Sequence, residues 1–362
     1  MAEGPRQTTQ TPVDQFDQPI KGVSLWMDAW RRLRKNRMAI AGLVIVLLYS
    51  LLSLLAPLLP IHSFKHQVLN HQYFPPSFMT AGELLFERQE KLLRETAKNE
   101  GRSELSHKEK EELAQFKQKL LDETMVFDGR TVRVNERRYI LGTDSLGRDL
   151  LARIIYGGQV SITIGLVGTL TAVLIGLIIG ALAGYLGGVF DYVSMRFVDV
   201  MYGLPYMLLV IIFMAVFGRN VLNLFLCLAL VSWLTLSRVV RGQIISLKNS
   251  EFVQAARVVG AGTRRIVFRH LVPNTLGVVA VFTTLQIPSF ILMESFLSYL
   301  GLGVQAPLAS WGSLVRDGVE GMNSYPWMLF FPGLAMTVFL FSMNFLGDGL
   351  RDALDPQSKN KL

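Results

Sequence analysis

Cysteine is almost missing from these 362 residues. Cys227 stands alone, which rules out an intrachain disulfide and reads as a small apolar packing residue. No Gly-x-x-x-x-Gly-Lys-Ser/Thr stretch occurs, so no phosphate cradle is expected. Ser145 sits in Gly-x-x-Ser-x-Gly rather than the Gly-x-Ser-x-Gly of a nucleophile elbow, which excludes a serine hydrolase of that design. Charge is scarce too: Asp, Glu, Lys and Arg make up 18% of the chain against 51% hydrophobic residues, and mean hydropathy is +0.36. That is more apolar than one soluble core can hide.

Six stretches contain no Asp, Glu, Lys or Arg at all: 38–59, 154–190, 200–218, 220–237, 271–293 and 321–347. A hydrocarbon core takes about 20 such residues per helix, so the fold class expected is an all-α integral membrane protein with six transmembrane helices. Glycine and proline inside the runs fit this class, because neighbouring helices restore the lost backbone hydrogen bonds. The first run ends in Ala56-Pro57-Leu58-Leu59-Pro60 without a small-residue cleavage pattern. It is also too long for a signal sequence, so it reads as a retained anchor.

The formal charge of +8 raises nucleic-acid binding, but its placement follows membrane topology instead. Arg31, Arg32, Arg34, Lys35 and Arg37 precede the first run; Arg238, Arg241, Lys248, Arg257, Arg264, Arg265 and Arg269 lie between the fourth and fifth. The positive-inside rule makes both segments cytoplasmic, and six spans then bring both termini inside. The expected organisation is a cytoplasmic tail at 1–37, with 1–24 disordered, a first transmembrane helix at 38–60 and an extracytoplasmic insertion with an interfacial segment at 61–153. A five-helix core at 154–357 and a short cytoplasmic tail at 358–362 follow.

Within the insertion, residues 83–123 are dense in Glu, Lys, Leu and Gln, with Leu84, Leu85, Leu92, Leu93, Leu113 and Leu120 at helical spacing. One or two amphipathic helices are expected, broken near Asn99-Glu100-Gly101, with Ser106 and Glu109 as a capping box for the second. A solvated hairpin is favoured over a binding module. The second apolar run is too long for one helix, so its first part is expected to lie as a short interfacial or tilted helix before the span proper. Gly176, Gly180, Gly184 and Gly188 form a small-residue stripe for close helix packing. His62, His66 and His71 read as surface histidines rather than metal ligands, since no cysteine or firm helical frame accompanies them. Glu294, Arg196 and Asp199 read as interfacial groups reaching water.

The loop at 246–274 carries the strongest motif. It runs Glu251-Phe252-Val253-Gln254-Ala255-Ala256-Arg257-Val258-Val259-Gly260 and, after nine residues, His270-Leu271-Val272-Pro273. This resembles the EAA loop of ABC-importer permeases: Ala255, Ala256, Gly260 and Pro273 keep the spacing, whereas Gln254, His270 and Val272 depart from it. A second stretch, Gly142-Thr143-Asp144-Ser145-Leu146-Gly147-Arg148-Asp149 with Gly157, Ser161 and Gly165, resembles the GTDxxGRD segment of OppC/DppC-type oligopeptide and dipeptide permeases. Ser298 to Pro307 with Ser310-Trp311-Gly312, and Gly347-Asp348, Arg351-Asp352 and Leu354-Asp355-Pro356, resemble the same family. The match covers nearly all of 25–357, and the long insertion is its clearest departure.

The resemblance implies a type I ABC-importer permease, not itself an enzyme, working in the bacterial inner membrane. Its implied partners are a second homologous permease, two cytoplasmic ATPase subunits holding ATP and Mg, and an extracytoplasmic substrate-binding protein. The short helix from Gln254 to Gly260 would dock on an ATPase, and Pro273 would mark re-entry into the bilayer. Gly142, Gly147, Asp144, Arg148 and Asp149 suit a tight polar turn at the outer surface, closed by an internal ion pair. The cargo is peptide in the main reading, with nickel chelates, glutathione, antimicrobial peptides or saccharides as alternatives. An ion-coupled secondary carrier is the rival of another class, and it needs ionisable groups at mid-membrane.

Overall fold

Asn36 opens the first span because its side chain accepts hydrogen bonds from the backbone N–H groups of Met38 and Ala39, occupying donors a helix start leaves unpaired. The computed structural model describes residues 25–354. The expected tails at 1–24 and 358–362, and Asp355-Pro356, lie outside the described residues. A short helix α1 (Leu25–Leu33) leads into α2 (Arg37–Leu54). The insertion supplies α3 (Ala81–Asn99), α4 (His107–Asp122) and a hairpin of β1 (Thr124–Phe127) and β2 (Arg130–Arg133). The core follows as α5 (Leu150–Leu186), α6 (Gly188–Gly203), α7 (Tyr206–Phe217), α8 (Val221–Leu247), α9 (Glu251–Val258), α10 (Thr263–Arg265), α11 (Val272–Tyr299), α12 (Trp311–Glu320) and α13 (Trp327–Leu354).

Among the described residues, five helices are long and apolar enough to cross a membrane, and a sixth crossing exists if the bent pair α6 and α7 counts as one. Two expectations are corrected here. The run at 154–190 does not begin with a short interfacial or tilted helix before the span, because α5 continues unbroken for 37 residues. It is about 55 Å long at 1.5 Å per residue, well beyond a hydrocarbon core of about 30 Å. The run at 200–218 is not one straight span, since α6 and α7 meet at 85°. Pro205 supplies no N–H and drives Leu204 into an extended conformation (ψ 137°).

The small-residue stripe works through three of its four members. A methyl group at Gly176 would lie 2.9 Å from the Trp233 carbonyl oxygen, and one at Gly184 would lie 2.8 Å from that of Arg241. Gly180 faces the Ser237 carbonyl in the same way, so α5 and α8 pack nearly backbone to backbone. Gly188 starts α6 instead, with open space around it. Asp191 on α6 holds Arg241 in a two-pronged ion pair at 2.5 and 2.6 Å, and Asp199 holds Arg238 at 2.6 Å.

Arg196 and Asp199 remain largely exposed, 3.6 Å apart. Towards the end of the fourth-to-fifth loop, a π-helical turn over Ile266–Leu271 carries α10 into α11. The wider turn accommodates Pro273, which cannot donate to the helical ladder.

In the insertion, Thr80 with Glu83 and Ser106 with Glu109 form reciprocal capping boxes that start α3 and α4. The break falls at Glu100 and Gly101, with Gly101 at φ +76°. The β1–β2 hairpin escapes any reading by periodicity, since both strands are only four residues long.

Candidate functional site

Two clusters stand at opposite ends of α5. At its first end the Gly142–Asp149 segment forms a closed turn around Asp144, whose side chain is almost wholly buried. Asp144 Oδ1 accepts from the N–H groups of Leu146 and Arg148 at 2.9 Å each. Its Oδ2 accepts from Arg148 Nε at 2.7 Å and from Arg153 Nη1 at 2.5 Å. Arg153, one turn into α5, reaches on to Asp317 Oδ2 of α12 at 3.4 Å.

Thr143 ties this turn to the insertion: its hydroxyl donates to the His71 carbonyl oxygen at 2.6 Å and accepts from Phe74 N–H at 2.8 Å. Gly147 (φ +67°) lies against the Val68 carbonyl, where no side chain fits. Gly142 packs against the Phe74 carbonyl and the Trp327 ring. Asp149 caps α5 by accepting from Leu151 and Ala152 N–H. Burial nonetheless pushes its carboxyl up to about 6.

Glu294 corrects an expectation outright. Instead of reaching water at the interface, it lies inside α11 with no exposed surface. Its two oxygens accept from Ser298 Oγ at 2.6 Å and Ser161 Oγ at 3.2 Å. Ser298 Oγ in turn accepts from Val304 N–H at 3.1 Å, and Ser161 Oγ from Trp311 N–H at 3.1 Å. Trp311 Nε1 donates to the Ile154 carbonyl at 3.0 Å. One carboxylate thus fastens the Ser298 to Trp311 segment onto α5 and α11. Sequence alone does not single out Arg153, Asp317 or Glu294 for such roles, although a lone acid just past an apolar run is the available signal.

The three N-terminal histidines diverge, each with its own protein neighbours. His71 is fully buried between Tyr139 Oη, 2.9 Å from Nδ1, and Asn135 Oδ1, 2.8 Å from Nε2. Because Asn135 Nδ2 donates to Leu120 O and Glu123 Oε2, its oxygen faces the ring and sets a neutral imidazole with hydrogen on Nε2. Burial holds His71 down at about 4. His66 pairs with exposed Asp128 at 3.0 Å, and His62 packs on the Tyr139 ring.

At the other end of α5, Tyr185 lies under the Arg257 guanidinium, 5.6 Å from the ring centre. Here α9 is anchored by Val253, which is completely buried beside Ile244, Ile266 and Val267. Ala256 faces inward against the same cluster, and the exposed residues include the apolar Phe252, Ala255, Val258 and Val259 beside Glu251, Gln254 and Arg257. Val258 and Val259 are 87% and 88% exposed. Gln254 is exposed, its amide donating to the Asn249 carbonyl at 2.9 Å. Gly260 ends the helix at φ +84° with nothing within 4 Å of where a Cβ would stand. Ala261 N–H closes the terminus onto the Ala256 carbonyl at 3.0 Å, the 6→1 bond of a Schellman cap. Pro273 stands exposed at the start of α11.

A family model described as "Binding-protein-dependent transport system inner membrane component" matches residues 176–360. A second, described as the N-terminal TM domain of oligopeptide transport permease C, matches residues 24–76. The oligopeptide transport system permease protein OppC of Escherichia coli (strain K12) is 40% identical over 340 residues, covering 94% of each chain. The dipeptide transport system permease protein DppC of Bacillus subtilis (strain 168) is 37% identical over 336 residues, covering 92% of this chain and 87% of that one. A solved structure of the MetNI methionine ABC transporter in inward-facing conformations matches 57% of this chain and 96% of its own at a TM-score of 0.46 and 17% identity. With relatives this similar along nearly the whole length and a family model spanning half of it, the chain belongs to the binding-protein-dependent transport system inner membrane components, as a multi-pass, all-α member.

Proposed function

We propose that this chain is one of two permease subunits of a peptide importer in the bacterial inner membrane, with both termini and α9 on the cytoplasmic side. A second homologous permease completes the path, two ATPase subunits bind ATP and Mg, and an extracytoplasmic binding protein delivers peptide. The chain itself performs no chemistry. ATP binding and hydrolysis in the partners move α9, and the bundle alternates between inward-open and outward-open states.

One observation carries the coupling role: α9 is pinned by Val253 but presents Val258 and Val259 almost bare beside a Gly260 cap. A two-residue apolar tip at a basic helix end is costly in water and suits a cleft on a partner. The names of the OppC and DppC relatives support peptide as cargo.

The test is purification of the complex from native membranes in mild detergent, followed by reconstitution. A second permease, ATPase subunits and binding-protein-dependent peptide uptake are expected together. ATP hydrolysis by the rigorously purified single chain, or transport by a homodimer of it, refutes the partner assignment.

A further inference from the structure

The 85° corner between α6 and α7 does more than shorten a span. It opens a cavity of about 280 Å³ against the middle of α8 and α11. Tyr202, Tyr206, Thr235, Gln286 and Ser289 supply its polar wall, and no Lys, Arg, Asp or Glu lines it. Tyr206 Oη is buried without a hydrogen-bond partner. Gln286 Nε2 donates to the Ser232 carbonyl at 3.2 Å, while its Oε1 makes no bond among the described residues. Tyr202 Oη and Thr235 Oγ1 lie 2.5 Å apart.

Hydrocarbon cannot satisfy polar groups at mid-span. Broken helices and clustered polar side chains at that depth belong where they line a solvated path or meet a ligand. An open acceptor and an orphaned hydroxyl in one corner therefore point to something that both donates and accepts. The lining itself carries no charge, and Arg238, stacked over the Tyr202 ring, is already paired with Asp199. This narrows the choice, because a site for a defined ionic side chain would hold a free counter-charge. Peptide N–H and C=O groups are neutral and recur at every residue, whatever the side chains. Met201, Met293 and Phe290 are among the residues that add apolar surface to the lining, and the two methionines adapt readily to varied shapes. The volume falls below that of a complete small-molecule pocket, about 300–1,000 Å³, as expected of one wall of a path shared with a second subunit.

We infer that this corner holds the main chain of the peptide in transit, through neutral hydrogen bonds from Tyr206 and Gln286. The inference rests on the peptide-path reading above.

The reconstituted complex with its binding protein tests it in two ways. A tripeptide bearing a diazirine, photolysed during turnover, is expected to label α6–α7 around Tyr206 or α11 around Gln286. Labelling confined to other helices overturns the site. Second, uptake of a Lys-containing and a Glu-containing tripeptide is compared, each normalised to its affinity for the binding protein. The parent is expected to treat them alike, and Ser289→Asp to raise the Lys-to-Glu ratio at least about fivefold, since a charge in a low-dielectric path discriminates strongly. Tyr206→Phe or Gln286→Leu is expected to slow both peptides about fivefold, the equivalent of one hydrogen bond of about 1 kcal/mol. Unchanged rates and ratios in variants of normal membrane abundance overturn the inference while leaving the importer reading intact. No uptake of any tripeptide by the parent complex overturns both.

Discussion

Arg153 Nη1 lies 2.5 Å from Asp144 Oδ2, with both side chains nearly sealed from solvent. The same carboxylate oxygen also holds Arg148 Nε, so one acid is shared by two buried bases, with Asp317 as the second partner of Arg153. Removing one partner of a buried pair typically costs about 3–5 kcal/mol, because the other charge is left uncompensated. Asp144→Asn is therefore expected to destabilise the chain more than Arg153→Met, which still leaves Asp144 with Arg148. Thermal unfolding in nanodiscs ranks them, and a larger loss for Arg153→Met contradicts the hub.

Glu294 should behave as a fastener. Glu294→Leu strands Ser161 and Ser298 without their acceptor, at about 1–3 kcal/mol, whereas Glu294→Gln keeps part of the network. Hydrogen exchange at the Trp311 amide, which Ser161 Oγ accepts, reports the difference directly. Faster exchange is expected in the Leu variant, and equal protection in all three proteins rules out this role.

His71 makes the insertion sensitive to acid. Its folded value is depressed from 6.5 to about 4. Its contribution is therefore complete above pH 6.5 and is lost progressively as pH falls towards 4, where the unfolded chain binds a proton and the folded one does not. The full effect is on the order of 3 kcal/mol. Asp149, raised to about 6, acts with the opposite sign, so the comparison needs His71→Gln alongside the parent. The parent should lose more thermal stability than His71→Gln between pH 7 and pH 4.5. Parallel curves exclude His71 as the cause.

At Gly260 the obstacle is the backbone rather than space. A residue with a Cβ at φ +84° is strained by about 1–2 kcal/mol, and a β-branched one by more. Gly260→Val should leave membrane abundance near normal but uncouple ATP hydrolysis from uptake, and Gly260→Asn should be milder. Gln254→Glu should be nearly silent at its exposed position. Ala256→Asp is expected to disturb the chain's own packing, so Val258→Asp probes the partner contact more cleanly. Normal transport in both Gly260→Val and Val258→Asp removes α9 from the coupling pathway.

Sidedness is checked by single cysteines in a Cys227→Ala background. Asn99→Cys in the insertion should react with an impermeant maleimide in intact cells, and Lys248→Cys should not. The reverse pattern inverts the topology and separates α9 from any cytoplasmic ATPase.

Hydropathy makes the membrane helices legible because a long uncharged run has few places to go but a bilayer, and the spacing of Ala255, Ala256, Gly260 and Pro273 locates the α9 loop. The 85° corner is hidden inside such a run: averaging over apolar residues cannot distinguish a straight helix from one interrupted at Pro205. The continuity of α5 escapes a comparison of length with bilayer thickness alone, because its first turns are covered by α12 and Trp311 rather than by lipid. Glu294 stands one residue beyond a charge-free run, so composition puts it at the edge. Only Ser161 arriving from α5, together with Ser298 one turn along α11, reveals it as interior. The Asp144 to Arg148 pairing is within reach of local sequence, but Arg153 and Asp317 join it through tertiary structure.

The uninterrupted α5 gives the molecule a lever. With an arm of about 55 Å, each degree of tilt about one end sweeps the other by about 1 Å. The glycine stripe binds this arm to α8 along the half nearer α9, while the Asp144 hub clamps its far tip to α12 and the insertion. Small angular play at the α9 end is thus magnified into displacement at the opposite face. In the importer proposed above, the stiffness of that distant clamp would set how much of a displacement at α9 reaches the opposite face.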